Sequence, residues 1–304
     1  PDDLRACLEA IKLNSRQPDE VIIVDQGDSA ITEEILKKYG FASQIIVQLE
    51  KSLTKARNNG VDKAIGNIVI FVDDDVVIAT DYLSVTEEYF SKKVNEDVLG
   101  IVGKDMVQVS KAKTFTSRSR QLLGIFFWRG TFNNSSVVLR SGHNVLRNNG
   151  NTEQEVQWTS GATNCWRREV FKDNSFDERM IRWCFGEDVS FSYQIYQKNP
   201  GSLRYIPNLV YHHNVSTSER LLNEQALKMT IIYRYFFWHE YVKDGSVVTR
   251  LAYVWSQVGY STMTLVEYKS VKTISTLISS YLFLLHNDNK IIKEDVNYNT
   301  FILD

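Results

Sequence analysis

Three consecutive carboxylates, Asp73, Asp74 and Asp75, break the apolar run NIVIFVDDDVVIAT at residues 67–80. Side by side at a strand end they repel one another, so a positive group is expected to meet them. One or two aspartates after a strand commonly cap the next helix. Here apolar residues follow the run in place of a helix start, which favours an Asp-x-Asp that holds a divalent cation. Hard carboxylate oxygens suit Mg²⁺ or Mn²⁺, and such an ion neutralises a diphosphate. A second acidic pair, Glu187 and Asp188, opens the helical stretch FGEDVSFSYQIYQK. First-turn carboxylates usually complement the helix dipole. The alternative is a general base aimed at a substrate hydroxyl. His212 and His213 end the strand-like LRYIPNLVYHH. Adjacent strand residues face opposite sides, so at most one of them reaches a shared site, where an imidazole would add a metal ligand.

Two cations and a glycine extend the set. Lys55 and Arg57, in LTKARNNG, lie just before the acidic strand. They belong either to a solvated helix face or to the contacts of a nucleotide diphosphate. Gly161 and Ala162, in TSGATNCWRR, fall in a loop-like stretch where backbone can approach a ligand closely. Trp158 and Trp166 nearby are core aromatics in the commoner reading and stacking surfaces for a sugar ring in the other.

The elements that must position these residues alternate in type. PDDLRACLEAIKLN places Leu4, Leu8 and Ile11 at helical spacing behind Pro1, Asp2 and Asp3. EVIIVDQGDS reads as a strand ending at Asp25, ITEEILKKYG as a helix closed by Gly40, and QIIVQLE as a strand. LTKARNNGVDKAIG reads as a helix, IVIFVDDD as a strand, DYLSVTEEYFSKKV as a helix and VLGIVGK as a strand. Fully apolar strands alternating with helices predict a mostly parallel, Rossmann-like α/β sheet with helices on both faces. Ligands in such sheets bind beyond the carboxyl ends of the strands, where Asp25 and the Asp73–Asp75 run both fall. Residues 108–155 are rich in Ser, Asn, Arg and Gly with weak periodicity and read as irregular, with VVLR as a short strand. From Ser216 the chain turns helical and aromatic-rich, as in LKMTIIYRYFFWHEYV.

Composition narrows the class. With 304 residues, 43% hydrophobic and 24% charged, the chain can bury a substantial core. A formal net charge of -2 gives no reason to expect nucleic acid. Cys7, Cys165 and Cys184 are odd in number and lack C-x-x-C spacing, which predicts a reducing, cytoplasmic setting and no disulfide framework. No apolar run approaches the length of a membrane span.

Seven pieces of the chain, in order, resemble the inverting family 2 glycosyltransferases of the GT-A fold. They are PDDLRACLEAI, EVIIVDQGDS, LTKARNNGVDKAIGNIVIFVDDD, SGATNCWRREVF, SFDE, GEDVSFSYQI and YIPNLVYHH, covering about residues 1–216. IIYRYFFWHEY is more loosely similar to bacterial polysaccharide-building members, rhamnosyltransferases included. The resemblance implies a catalytic domain over residues 1–216 and a C-terminal helical region over 217–304. It implies that Asp25 contacts the nucleotide base, Arg57 the base and diphosphate, and Asp73 the ribose, with Asp74 beside it and Gly161 close to the donor. Asp75 corresponds to the metal-binding aspartate, Asp188 to the catalytic base, and Glu187 to a residue that binds donor or acceptor sugar. One of His212 and His213 corresponds to a late metal-binding histidine, and family spacing favours His212. Family members also begin with a sheet strand ahead of the first helix. The chain lacks it, and since losing an inner strand strips hydrogen bonds from both neighbours, the natural protein is expected to extend further N-terminally.

The implied activity is transfer of one sugar, with inversion, from a UDP- or dTDP-linked donor to a glycan or lipid-linked acceptor hydroxyl, assisted by Mn²⁺ or Mg²⁺. Two rivals share the acidic site. A sugar nucleotidyltransferase should carry an early Gly-rich triphosphate loop, which is absent; a binding-only module would be expected to have lost one of Asp73, Asp75 and Asp188. In the C-terminal region, TISTLISSYLFLL sets Ile274, Leu277, Ile278, Tyr281, Leu282 and Leu285 opposite Ser275, Thr276, Ser279 and Ser280. The expectation is that the apolar face packs on neighbouring helices. The other reading is peripheral docking on the inner face of a membrane, without electrostatic help because the opposite face is not basic.

Overall fold

A computed structural model describes residues 2–27, 29–107, 115–132, 135–147, 150–214, 224–292 and 298–303. Pro1 and the expected domain boundary near residue 216 lie outside the described residues. The first half alternates as the sequence predicts: α1 (Asp2–Lys12), β1 (Val21–Asp25), α2 (Ser29–Leu36), β2 (Ser43–Val47), α3 (Leu53–Lys63), β3 (Ile68–Val72), β4 (Val76–Ile78), α4 (Tyr82–Ser91) and β5 (Gly100–Asp105). Then come α5 (Phe115–Phe126), the short strands β6 (Val137–Val138), β7 (Asn144–Val145) and β8 (Gln154–Glu155), and β9 (Thr163–Arg167). α6 (Glu187–Lys198) and β10 (Leu203–His213) close the α/β part. The C-terminal region is α7 (Glu224–Phe237), α8 (Val247–Tyr268), α9 (Val271–Ile292) and α10 (Tyr298–Leu303).

Strand pairing is mixed. β1 and β2 form a parallel pair, and β5 runs parallel to β10. β9 is antiparallel to both β3 and β5, and β10 is antiparallel to β4, in the order β3-β9-β5-β10-β4. The parallel pairing expected from the apolar strands therefore holds for two pairs, while β9 and β4 enter the sheet in the reverse direction. Only Asp73, Asp74 and Asp75 join β3 to β4, although these strands end opposite edges of the pairing path. The connection reaches at most about 14 Å, whereas four flat inter-strand spacings would need about 19 Å. The sheet must curl, and the acidic turn lies across its carboxyl end.

The curl is built into β10, whose register against β5 shifts between Tyr205 and Val210. Pro207 falls inside this shift, where a missing N–H costs no ladder bond. The displaced strand presses on β5 at Gly103, where any Cβ would overlap the Leu209 carbonyl. Beneath the sheet, Ile101, Cys165, Ile206, Leu209 and Tyr211 pack with Tyr82 and Phe90 of α4. On the other face Trp166, Phe176, Phe191, Ile195 and Tyr205 form a second core that holds α6.

Two parts of the chain depart from the sequence reading. α5 arises in a stretch read as irregular: its weak periodicity is offset by the contact of Phe126 and Phe127 with Trp255 of α8, whose indole N–H donates to the Phe126 carbonyl at 2.8 Å. The second departure is the face of α9. Ile274, Ile278, Leu282 and Leu285 are exposed, Leu285 at 77%, whereas Thr276 and Ser280 are buried with Leu277 and Leu284. α8 repeats the arrangement, with Leu251, Val254 and Val258 outward and Thr249, Ser256 and Gln257 inward. Small side chains let helices approach closely, and Thr276 and Ser280 satisfy their hydroxyls on carbonyls of their own helix at 3.0 and 2.7 Å. The expected inward packing is thus reversed for most of this face.

The fit at Gly103 is testable. Gly103→Ala should lower stability in urea unfolding by about 1–3 kcal/mol, the usual cost of overpacking. Gly40→Ala, which meets no neighbour, should cost only its left-handed backbone strain, about 1 kcal/mol.

Candidate active site

Arg57 occupies the second turn of α3 and points under the carboxyl end of the sheet. Its side chain is 6% exposed. Nη1 donates to Glu187 Oε1 at 2.9 Å, Nη2 donates to the Gly161 carbonyl at 3.1 Å, and Nη2 lies 3.5 Å from Asp73 Oδ1. The rings of Phe71 and Phe176 flank the guanidinium carbon at 5.8 and 5.3 Å. Burial alone disfavours the charge, but Glu187, Asp73 and Asp188 outweigh it and raise the Arg57 pKa.

The helix that carries Arg57 is fastened to the loop that precedes Glu187. Thr54 donates its hydroxyl hydrogen to the Met180 carbonyl at 2.9 Å, and Leu53 N–H donates to the Arg182 carbonyl at 2.8 Å. Asn58 exchanges two 2.9 Å bonds with the Phe176 backbone. The same loop inserts Met180 and Cys184 into the core formed by Leu227, Ile231 and Tyr233 of α7. Gly186, at φ 88, then turns the chain into α6.

Gly161 links the two acidic groups. Its N–H donates to Asp188 Oδ2 at 2.8 Å while its carbonyl accepts from Arg57. A Cβ here would stand 3.0 Å from Arg57 Nη2, 3.2 Å from Asp188 Cβ and 3.3 Å from Glu187 Oε1, so glycine is what fits. The next residue, Ala162, accepts the Asp73 N–H at 2.9 Å, which ties the acidic turn to the start of β9. Asp188 is the second residue of α6, where the helix dipole favours the charged form. Burial and the adjacent Glu187 work the other way and push its carboxyl up to about 7, against the pull of Arg57 and the Val189 and Gly161 N–H groups.

Across the turn, Asp73, Asp75 and His213 each offer a ligand atom, all within 4.8 Å of one another. His213 Nε2 lies 3.1 Å from Asp75 Oδ1. Two carboxylates and an imidazole form a donor set suited to Mn²⁺, and these residues fit the ion that the sequence predicts. Burial raises the Asp73 pKa to about 6; Arg57 and His213 oppose the rise, and Asp75 and Asp74 add to it. It is His213, not His212, that faces the carboxylates. β10 pairs His213 with Val76, and Asn214 N–H bonds the Asp75 carbonyl, which sends His212 outward to solvent.

Other expected residues sit apart. Asp74 is exposed on the turn and is not in the Asp73–Asp75–His213 group. Asp25 spends its carboxylate on its own turn, accepting from Gly27 N–H at 2.6 Å and from the Thr32 hydroxyl. Lys55 pairs with Glu50 on the surface. Trp158 and Trp166 are core residues. The aromatics exposed beside the acidic pair are Trp183 and Phe185, at 42% and 44%, in the loop before Gly186. Sequence reasoning passed over them, as it did the Phe71 and Phe176 rings around Arg57. The nearest signal was the concentration of aromatics in RWCFGED.

Because Glu187 and Asp73 surround Arg57 away from water, Arg57→Ala should destabilise the protein by about 3–5 kcal/mol in urea unfolding, as loss of one partner of a buried pair does. Lys55→Ala, at a surface pair, should cost about 1 kcal/mol or less.

Residues 1–151 match the profile of glycosyl transferase family 2. The glycosyltransferase GlyA of Streptococcus pneumoniae is 33% identical over 96 residues, 31% of this chain and 13% of GlyA. This chain therefore spans well under a quarter of that relative. Among solved structures, TarS of S. aureus, residues 1–349 with UDP-GlcNAc, aligns at TM-score 0.58 and 14% identity over 91% of this chain and 75% of that one. The mannosyltransferase PcManGT of Pyrobaculum calidifontis, with GDP-Man and Mn²⁺, aligns at TM-score 0.52 and 12% identity over 99% and 82%. These alignments carry the fold, and the profile carries the family resemblance: residues 1–151 match glycosyl transferase family 2, on a GT-A fold.

Proposed function

We propose that this protein transfers one sugar, with inversion, from a UDP- or dTDP-linked donor to a hydroxyl of a glycan or lipid-linked acceptor in cell-surface polysaccharide synthesis. The observation that carries the reading is one continuous network, Asp75–His213 and Asp73 on one side, Arg57 and Gly161 in the middle, Glu187 and Asp188 on the other. That network supports a metal-and-diphosphate pocket next to a base. The ligands held by the TarS and PcManGT structures support the donor class, and Mn²⁺ in the latter supports the ion.

In this mechanism Asp73, Asp75 and His213 would hold the divalent cation. When bound, the ion supplies positive charge that offsets the charge growing on the departing diphosphate. Asp188 accepts the acceptor hydroxyl proton as the acceptor oxygen bonds to the anomeric carbon and the sugar–phosphate bond breaks. The N–H donors of Gly161 and Val189 fix its carboxylate and leave further lone pairs for that proton. Glu187, held by Arg57, orients donor or acceptor sugar, and Trp183 and Phe185 offer faces for stacking on the acceptor. Asp25 and Asp74 remain assigned to the donor side by the family pattern, and residues 1–216 form the catalytic domain.

The outward apolar faces of α8 and α9 support a peripheral contact with the cytoplasmic face of a membrane, where lipid-linked acceptors are available. No helix among the described residues is long and apolar enough to cross a membrane. The expected outcome is co-flotation of the protein with neutral vesicles, abolished by Ile278→Glu together with Leu285→Glu. No flotation with neutral or anionic vesicles removes this contact from the account.

Asp188→Asn keeps shape and hydrogen-bonding capacity but takes no proton. It should fold, bind Mn²⁺ and nucleotide as before, and lose about 10²–10⁴ in turnover. Since the raised Asp188 pKa leaves the carboxyl protonated until pH nears 7, kcat/KM should climb as pH rises through about 7 and then level. Donor hydrolysis across a nucleotide-sugar panel, with and without Mn²⁺, supplies the assay. Near wild-type turnover by Asp188→Asn with a dead Glu187→Gln would move the base to Glu187. Full activity in both would end the mechanism.

A further inference from the structure

Away from the acidic turn, two guanidinium groups share one tyrosine ring, with no acid beside them among the described residues. Arg129 follows α5, and Arg234 lies on α7; both stand over the ring of Tyr260 in α8, at 5.1 and 4.7 Å. Among the described residues neither guanidinium has an ion-pair partner, and Nη1 of each is buried without a hydrogen bond. His143, in the turn between β6 and β7, adds a buried Nδ1 with no partner, and Tyr253 of α8 adds a buried hydroxyl in the same condition. Like charges brought together out of water destabilise a fold unless something of opposite sign joins them. Among the described residues nothing acidic does so. Orphaned donors from four separate segments are what an oxyanion needs, and paired guanidinium groups match phosphate oxygens in particular.

We infer that Arg129, Arg234, His143 and Tyr253 form a phosphate-binding site at the junction of the β6–β7 turn with the C-terminal helices. The site shares no residue with the Asp73–Asp75–His213 group and does not depend on the transferase reading. Burial lowers the pKa of both Arg129 and Arg234, and the charge of Arg234 adds to the fall at Arg129, yet guanidinium groups stay protonated at neutral pH, so the repulsion persists. The same two cations and burial push His143 well down, which keeps it neutral and able to donate from one nitrogen. The phosphate source is either a free phosphate or diphosphate group or a lipid headgroup, the latter because α8 also presents its apolar face outward.

The test is thermal unfolding of the full chain in EDTA, at constant ionic strength, with chloride replaced by inorganic phosphate or pyrophosphate. A parallel arm measures co-sedimentation with phosphatidylcholine vesicles with and without phosphatidic acid. Wild type should gain a few degrees in Tm with phosphate or pyrophosphate, or sediment several-fold more strongly with vesicles that contain phosphatidic acid than with phosphatidylcholine alone. The first result assigns a free phosphate group, the second a headgroup. Arg129→Met and Arg234→Met should melt higher than wild type in chloride, because the repulsion is relieved, and should lose the phosphate or phosphatidic acid response. If either Met variant does not fold, Arg129→Gln carries the same readout. No response to any of these anions, or one equally strong in the Arg129 and Arg234 variants, would overturn the site.

Discussion

A single buried cation organises the acidic end of this molecule. Arg57 sits where three carboxylates approach one another, and without it Asp73 and Glu187 would share a poorly solvated space as like charges. Its two nitrogens reach Glu187, the Gly161 carbonyl and Asp73 together, a span that a point-charge ammonium would not cover. Everything that fixes Arg57 in turn fixes the site. Phe71 and Phe176 hold the guanidinium plane from β3 and from the loop beyond β9, and Gly161 leaves room for it because it has no side chain.

The C-terminal helices act on this arrangement through the loop at residues 176–186. Met180 and Cys184 are anchored in the α7 core, and the Tyr233 hydroxyl accepts the Ile181 N–H at 3.0 Å. That loop both clamps α3 and launches α6, so Arg57 and Asp188 are referenced to the same body. The helical region is thereby a buttress for the chemistry. Inside it, Thr249, Ser256, Thr276 and Ser280 are buried alongside aromatic and aliphatic side chains such as Tyr253, Leu277 and Leu284, while Leu251, Val254, Ile278 and Leu285 of α8 and α9 stay outside.

Much of this was legible in the sequence because the period of the side chains carries it. Apolar runs such as VIIVD and IVIFV mark strands wherever they end up pairing, and Asp73–Asp75 stand out because a strand end rarely tolerates three carboxylates. What was not legible depends on partners distant in the chain. Strand alternation says that one of His212 and His213 faces inward; the choice is made by the β10–β4 register, which is a tertiary fact. The outward apolar face of α9 was misjudged for a related reason. Amphipathic spacing defines two faces, and only the neighbouring helices decide which is buried. α5 is a helix because Phe126 and Phe127 meet Trp255 more than a hundred residues away, and no local pattern contains that contact.

The central claim is that the turn between β3 and β4 gathers a divalent cation with His213, so that the repelling carboxylates become a binding site for a diphosphate. The most direct measurement is Mn²⁺ titration followed by electron paramagnetic resonance, comparing wild type with His213→Ala and His212→Ala in the presence of UDP. The account predicts saturable Mn²⁺ binding that survives in His212→Ala and weakens by about tenfold or more in His213→Ala, the loss of one ligand interaction of roughly 1.4 kcal/mol. Equal, wild-type affinity in both variants, or no saturable binding in wild type, would contradict it.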